Sequence, residues 1–337
     1  MGSISIYASM LAMVSAAVAQ NCPIVFDGRV PAASTQALFD TEASPFNTGF
    51  VKGSELNFSQ IVQLPTVPPS LFDTTTIPFE VTLSDKSIFA PSATNKQIGF
   101  RRAELQVDGN SGKDNFTVGV KTLHFSVQKD ATRPLNTSHE YQLVFLEDAS
   151  FSTNQFVLKT GTIVGQAKGQ NPDLLVLVGN VNAKPVVNLF NTTFTPGVFH
   201  NFGVTLDFNA NTTTVLYSTG TSPLAVVNGP TANDVSGQGQ YHFGALKKPS
   251  GEGIKDPAKE GFQPSGINEG VIYGGLFMED STGGCVSLSP SATARGSNAT
   301  VGAGAGKGMN STAPATVGAG KGKGKNSTAP AIIKGYV

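Results

Sequence analysis

The chain has 337 residues, with 23 Lys and Arg against 23 Asp and Glu, and it carries 22 Phe and 6 Tyr but no Trp. A formal charge of zero offers no electrostatic footprint to a polyanion, so no nucleic-acid partner is expected. No apolar run approaches the roughly 18 residues a membrane helix requires, so no membrane partner is expected either.

Residues 1–19 read as a secretory signal. A short apolar segment from Ile4 to Val14 leads to Ala17-Val18-Ala19, a small-x-small cleavage pattern, although Lys and Arg are missing ahead of it. Export would put Cys22 and Cys285 in an oxidising compartment, where they are expected to pair and tie the two ends of one domain together. The eight Asn-x-Ser/Thr sequons, at Asn57, Asn115, Asn136, Asn191, Asn211, Asn298, Asn310 and Asn326, suit a secreted, glycosylated chain.

Convincing amphipathic helices are missing from the sequence. Instead Val, Ile, Thr and Phe alternate with polar residues in short runs between Gly, Pro, Asn and Ser clusters. Strands are expected at 80–83, 99–107, 116–128, 139–147, 155–159, 174–178, 186–190, 199–208, 212–217, 240–246 and 271–279. Turn chemistry separates them, as in Asp108-Gly-Asn-Ser-Gly112 and Lys248-Pro-Ser-Gly251. The expected fold is all-β: a β-jelly-roll sandwich of two antiparallel sheets spanning residues 20–288. Residues 289–337 form a Gly/Ala/Ser/Thr/Lys-rich tail in which Asn310-Ser-Thr-Ala-Pro-Ala315 returns as Asn326-Ser-Thr-Ala-Pro-Ala331. With so little to bury, that tail is expected to be disordered.

Strand periodicity gathers a set of polar side chains. In Gly99-Phe-Arg-Arg-Ala-Glu-Leu-Gln-Val107, the residues Ala103, Leu105 and Val107 share one face, and Phe100, Arg102, Glu104 and Gln106 share the other. In 139–147 the inward set is Tyr141, Leu143 and Phe145, leaving Glu140 and Gln142 outward. In 239–245 it is Tyr241, Phe243 and Ala245, leaving Gln240 and His242. In 121–127 it is Leu123, Phe125 and Val127, leaving Thr122, His124 and Ser126. Placed in one sheet, these residues would make a polar floor holding two carboxyl groups. Glycoside hydrolysis uses such a pair, one carboxylic acid protonating the leaving oxygen and the other activating water or attacking the sugar. Arg102, two residues from Glu104 on its face, could hold that carboxyl ionised. A structural ion pair is the competing reading of Glu104, and hydrogen-bonded strand histidines that of His124 and His200. Without Trp, sugar stacking falls to Tyr273, beside Gly274-Gly275, or to Phe100. The histidines lack metal-ligand spacing, so no cofactor or catalytic metal is expected, though loop carboxylates could hold a structural calcium.

The segments 26–31, 99–105, 121–126, 139–147, 200–202 and 240–249 together resemble glycoside hydrolase family 131, the secreted fungal β-glucanases. The resemblance runs from Cys22 to Cys285. It implies hydrolysis of β-1,3-, β-1,6- and β-1,4-linked glucans with inversion, by a monomer whose partner is the polysaccharide. It makes Glu104 and Glu140 the catalytic carboxyl candidates, with His242 a third site residue. Arg102, Phe100, Gln106, His124, Gln142, Gln240 and Tyr273 become candidate substrate contacts. Some relatives carry a cellulose-binding module, whose cysteines and aromatics are missing from this tail. Two other readings stay open: a lyase on an alginate-lyase-type jelly roll, echoed by Arg102-Ala-Glu-Leu105 and Tyr241-His-Phe-Gly244, and a non-catalytic glucan lectin.

Overall fold

In the computed structural model the described residues are 22–107, 115–166 and 169–290. The expected signal segment, the turn at 108–112 and the tail from residue 291 lie outside them. In chain order the strands are β1 (Ile24–Asp27), β2 (Val30–Pro31), β3 (Val62–Gln63), β4 (Thr76–Ile77), β5 (Phe79–Ser84), β6 (Arg101–Gln106), β7 (Val120–Lys129) and β8 (Glu140–Glu147). They continue as β9 (Asn154–Gly161), β10 (Leu174–Val178), β11 (Asn188–Thr193), β12 (His200–Asp207), β13 (Thr212–Thr219), β14 (Ala225–Ala232), β15 (Gln240–Lys247) and β16 (Asn268–Asp280).

An 8-stranded sheet runs β14-β13-β12-β7-β16-β5-β3, with β1 added beside β16, and a 6-stranded sheet runs β11-β10-β9-β8-β15-β6. All pairings in both sheets are antiparallel. The fold is therefore an all-β jelly-roll sandwich. The inner faces meet as one apolar core: Leu123, Phe125 and Val127 of β7 join the same buried cluster as Ala103 and Leu105 of β6 and Tyr241, Phe243 and Ala245 of β15. Burying each large apolar side chain contributes about 1.5–3 kcal/mol before chain entropy is set against it.

The expected strands all recur, with ends moved by a few residues. Phe116 is the exception, lying in a 3-10 turn at Asn115–Thr117 ahead of β7. Strands β1 to β4 and β14 are additions. Strand β14 contains Gly229 and Pro230, but it pairs with β13 on one side only, and an edge strand tolerates proline. Cys22 and Cys285 form a disulfide with a Cα–Cα distance of 5.7 Å across 263 residues. It closes where β1 already pairs with β16.

Candidate active site

The outer face of the six-stranded sheet carries the chemistry. Along β6 the expected alternation holds: Ala103 and Leu105 enter the core, and Arg102, Glu104 and Gln106 turn outward yet stay buried. The free edge of β6 is sealed by loops rather than by another strand. The Arg102 amide donates to the Ser87 carbonyl (2.7 Å), the Glu104 amide to the Val51 carbonyl (2.8 Å) and the Asn47 amide to the Gln106 carbonyl (2.8 Å). Val51 takes a left-handed conformation, φ 56°, to present that carbonyl.

Strand β15 lies antiparallel to β6 with His242 opposite Gln106 and Gly244 opposite Glu104. The diagonal neighbour of His242 is then Glu104, and the two side chains meet. His242 Nδ1–H donates to Glu104 Oε2 at 2.7 Å. Arg102 grips the same carboxylate with both arms of its guanidinium, Nε to Oε1 at 2.7 Å and Nη2 to Oε2 at 2.6 Å. Its Nη1 donates to Gln97 Oε1 at 3.1 Å. Burial alone would raise the Glu104 pKa, but Arg102 and His242 outweigh it and bring it down to about 2. For His242 burial favours the neutral ring, and hydrogen bonds to Glu104 and Glu147 reverse that and raise its pKa.

Strand β8 completes the face through an irregularity. Its register with β9 slips between Gln142 and Val144, and its register with β15 slips between Phe243 and Leu246. Leu143 and Val144 both enter the core, so the alternation inverts after them. Glu140 and Gln142 face outward as expected. Phe145 corrects the sequence reading: it is not inward but lies flat on His242, ring centroids 4.3 Å apart. Glu147 comes with it, its Oε2 3.5 Å from His242 Nε2.

Glu140 sits between two ammonium groups, Lys159 Nζ at 3.1 Å and Lys248 Nζ at 3.2 Å from Oε1, while Oε2 accepts the Val164 amide at 2.8 Å. Burial pushes its carboxyl up, and the two lysines more than offset it, so Glu140 lies below its ordinary value. Both ammonium groups face Oε1, which is closed off from solvent. Gln142 Oε1 accepts from Asn154 Nδ2 at 3.0 Å.

One sheet face thus carries Glu104, Glu140, His242, Arg102, Gln106, Gln142 and Gln240, the last accepting from Gln106 Nε2 at 3.1 Å, with Glu140 beside Lys248, which lies six residues along the chain from His242. Three expected contacts are elsewhere. His124 belongs to β7 in the other sheet, on the far side of the core, with Nε2 bonded to Glu279 Oε1 at 2.9 Å and its ring stacked on Phe277 at 4.4 Å. Tyr273 lies in the core, stacked on Phe79, with its hydroxyl donating to the carbonyls of Leu143 (3.0 Å) and Gly244 (2.6 Å), so it offers no ring face to a sugar. Phe100 has the expected parity but packs under Leu246 and Ala258 and is wholly buried. Glu147, Asn154, Lys159 and Lys248 are polar residues of the face that the sequence reading passed over. Glu147 and Phe145 were hidden by the inverted alternation, which no turn residue announces. The large aromatic side chains exposed among the described residues are Phe50 and Phe262. Phe50 adjoins Val51, whose carbonyl holds the Glu104 strand, and Phe262 pairs with Ser250, two residues from Lys248. Among the described residues no group of three or more His, Cys, Asp or Glu side chains is placed to hold a metal ion, so the structural calcium finds no such carboxylate cluster there.

A jelly roll with ionised carboxylates, an imidazole and amides along one sheet face has the donor set of a carbohydrate-processing protein. The family model described as the glycoside hydrolase 131 catalytic N-terminal domain matches residues 24–284, and the chain belongs to that family. Two solved structures share its fold. A GH131 β-glucanase catalytic domain from Podospora anserina is 23% identical, with 79% of this chain and 98% of that one covered and a TM-score of 0.61. The catalytic domain of the family 131 protein from Coprinopsis cinerea is 22% identical, with 80% and 98% covered and a TM-score of 0.57. No match was found among curated proteins.

Proposed function

We propose that the chain is a secreted β-glucanase that hydrolyses β-1,3/β-1,6- and β-1,4-glucosidic bonds of cell-wall glucans with inversion, using the two carboxyl groups Glu104 and Glu140. The observation that carries this reading is the unequal state of those carboxylates on one sheet face of a glycoside hydrolase domain. Glu104 is held by Arg102 and His242, and Glu140 by Lys159, Lys248 and the Val164 amide.

The roles proposed for them follow from those partners. Glu140 is the second carboxyl group, kept ionised by Lys159 and Lys248. Glu104 acts through His242, holding Nδ1–H so that the charged ring presents Nε2–H as the acid. The Nε2 proton passes to the glycosidic oxygen as its bond to the anomeric carbon breaks. Water oxygen forms the new bond from the opposite side, and its proton passes to a carboxylate of the face. Both groups then re-equilibrate with solvent. Gln106, Gln142 and Gln240 supply hydrogen bonds to sugar hydroxyls, and Phe50 offers a ring face at the rim.

Arg102 weighs against the lyase reading. A lyase needs an arginine to neutralise the substrate's uronate, and this guanidinium is committed to Glu104 and Gln97. The Glu140→Gln variant tests the proposal against a lectin. Hydrolysis predicts retained glucan binding with reducing-sugar release lost; wild-type protein that binds glucan and releases nothing would make it a lectin.

A further inference from the structure

Among the described residues, Asn191 is the sequon asparagine that lies within a strand of the six-stranded sheet, on β11. The others sit off that sheet's strands: Asn57 caps a short helix, Asn115 opens a 3-10 turn, Asn136 precedes β8 and Asn211 lies in the turn between β12 and β13. Strand registers fix where Asn191 points. It pairs with Val176, Val176 with Lys159, Lys159 with Gln142, Gln142 with Leu246 and Leu246 with Arg102, so one row crosses the sheet from β11 to β6. Residues paired across strands share a face. The neighbours that alternate with them, Ala103, Leu143, Leu158, Leu175 and Leu177, are in the core, and Phe190, beside Asn191, packs against it. Asn191 therefore projects from the outer face, the one that carries Glu104, Glu140 and His242. Two strand spacings, about 10 Å, separate it from Lys159, which touches Glu140.

We infer that Asn191 carries an N-linked glycan and that this glycan bounds the sugar-binding face at its β11 end. The inference rests on the reading of the face as the site of a secreted glucan hydrolase. Asn191 and Thr193 are both exposed, and Thr192 rather than proline stands between them, so the acceptor amide and the hydroxyl of the sequon are open to modification. The Cys22–Cys285 disulfide fits a chain that passes through the oxidising compartment where such transfer takes place. In the transfer, Asn191 Nδ2 forms a bond to the anomeric carbon of a lipid-diphosphate-linked oligosaccharide. That carbon's bond to the diphosphate oxygen breaks, and one amide proton leaves with the released diphosphate. Among the described strands β11 pairs with β10 alone, so the glycan has room at the margin of the sheet. A glucan chain laid across the strands from His242 towards β11 would meet this bulky, hydrated branch, whereas a short oligosaccharide held at Glu104 and His242 would not. The glycan thus limits how far a polymer can run across the face.

The test uses the full-length protein secreted from a eukaryotic host that N-glycosylates, as wild type, Asn191→Gln and Thr193→Ala. The two variants remove one sequon through different side chains. Mass spectrometry of the peptide spanning Asn191, after trimming with an endoglycosidase, should find one N-acetylglucosamine on most wild-type copies and on neither variant. An unmodified Asn191 in wild type would overturn the inference. On a soluble polymeric β-glucan both variants should show KM about fivefold lower, the change that about 1 kcal/mol of recovered contact makes, with kcat little changed. On a short β-gluco-oligosaccharide neither constant should move. An occupied Asn191 whose removal leaves the polymer KM unchanged in both variants would overturn the glycan's role at the face. A change in only one variant would overturn it too, assigning the effect to the side chain. If wild type releases no sugar from any glucan, the hydrolase reading fails by itself, and mass spectrometry with polymer binding by the same three proteins still decides whether the glycan is there and bounds the face.

Discussion

Glu104 has no access to water, and a carboxylate in that position stays ionised only through its contacts with Arg102 and His242. Breaking a buried pair costs roughly 3–5 kcal/mol, because the partner's charge is left behind. Glu104→Gln should thus do more than reduce turnover. Activity is expected to fall by about 10²–10⁴, the range for a group supporting acid–base catalysis, and the melting temperature should fall as well. Replacing Arg102 and Glu104 together by methionine removes both charges and should recover most of the thermal stability while activity stays lost. Differential scanning calorimetry with a reducing-sugar assay separates the outcomes. A fully stable Glu104→Gln protein would mean that Arg102 finds another partner.

At the scale of the strand, the slip in β8 builds the site. Alternation read from the sequence placed Glu140 and Gln142 on the right face but sent Phe145 inward, because two consecutive core residues, Leu143 and Val144, look in a sequence like ordinary strand hydrophobics. The polar face of β6 was legible because its alternation is unbroken. His124 was misplaced for another reason: parity says which way a side chain points from its own strand, not which sheet that strand joins, and β7 joins the other one. Tyr273, beside Gly274-Gly275, does not serve as the stacking ring that the sequence suggests. In the structure those glycines are filled by Ser70, Phe72 and Asp73. On β15 the matching irregularity depends on Gly244, where an added methyl carbon would lie 2.2 Å from the Ala103 carbonyl oxygen. Gly244→Ala should force β6 and β15 apart beside Glu104, at a cost of roughly 1–3 kcal/mol. The measurement is thermal unfolding with glucan hydrolysis, and both should decline. An unchanged protein would show that the strands yield freely there.

The whole molecule adds two expectations. The Cys22–Cys285 bond closes a loop of 263 residues, for which chain-entropy arithmetic gives an upper value of about 5 kcal/mol. Replacing both cysteines by serine should lower the melting temperature by roughly 10 °C at most, and less where the pairing of β1 with β16 already restrains the ends. Stability should also peak in weakly acidic solution. Glu104, lowered from 4.5 to about 2, stabilises the fold above pH 4.5, and that contribution is lost as pH falls through 2. His242, raised from 6.5, stabilises the fold fully below pH 6.5 and loses its contribution as pH rises through its folded value. Calorimetry across pH should show both flanks, and Glu147→Gln should shrink the alkaline one.

The central claim, hydrolysis of β-glucan by inversion, meets its most direct test in the products. Purified protein is incubated with pure β-1,3-, β-1,4- and β-1,6-glucans, and new reducing ends are followed by proton NMR before the anomers equilibrate. The predicted result is reducing sugar appearing first in the α configuration on at least one of these polymers. No reducing ends from any glucan would contradict the hydrolase reading, and first-formed β anomers would contradict inversion.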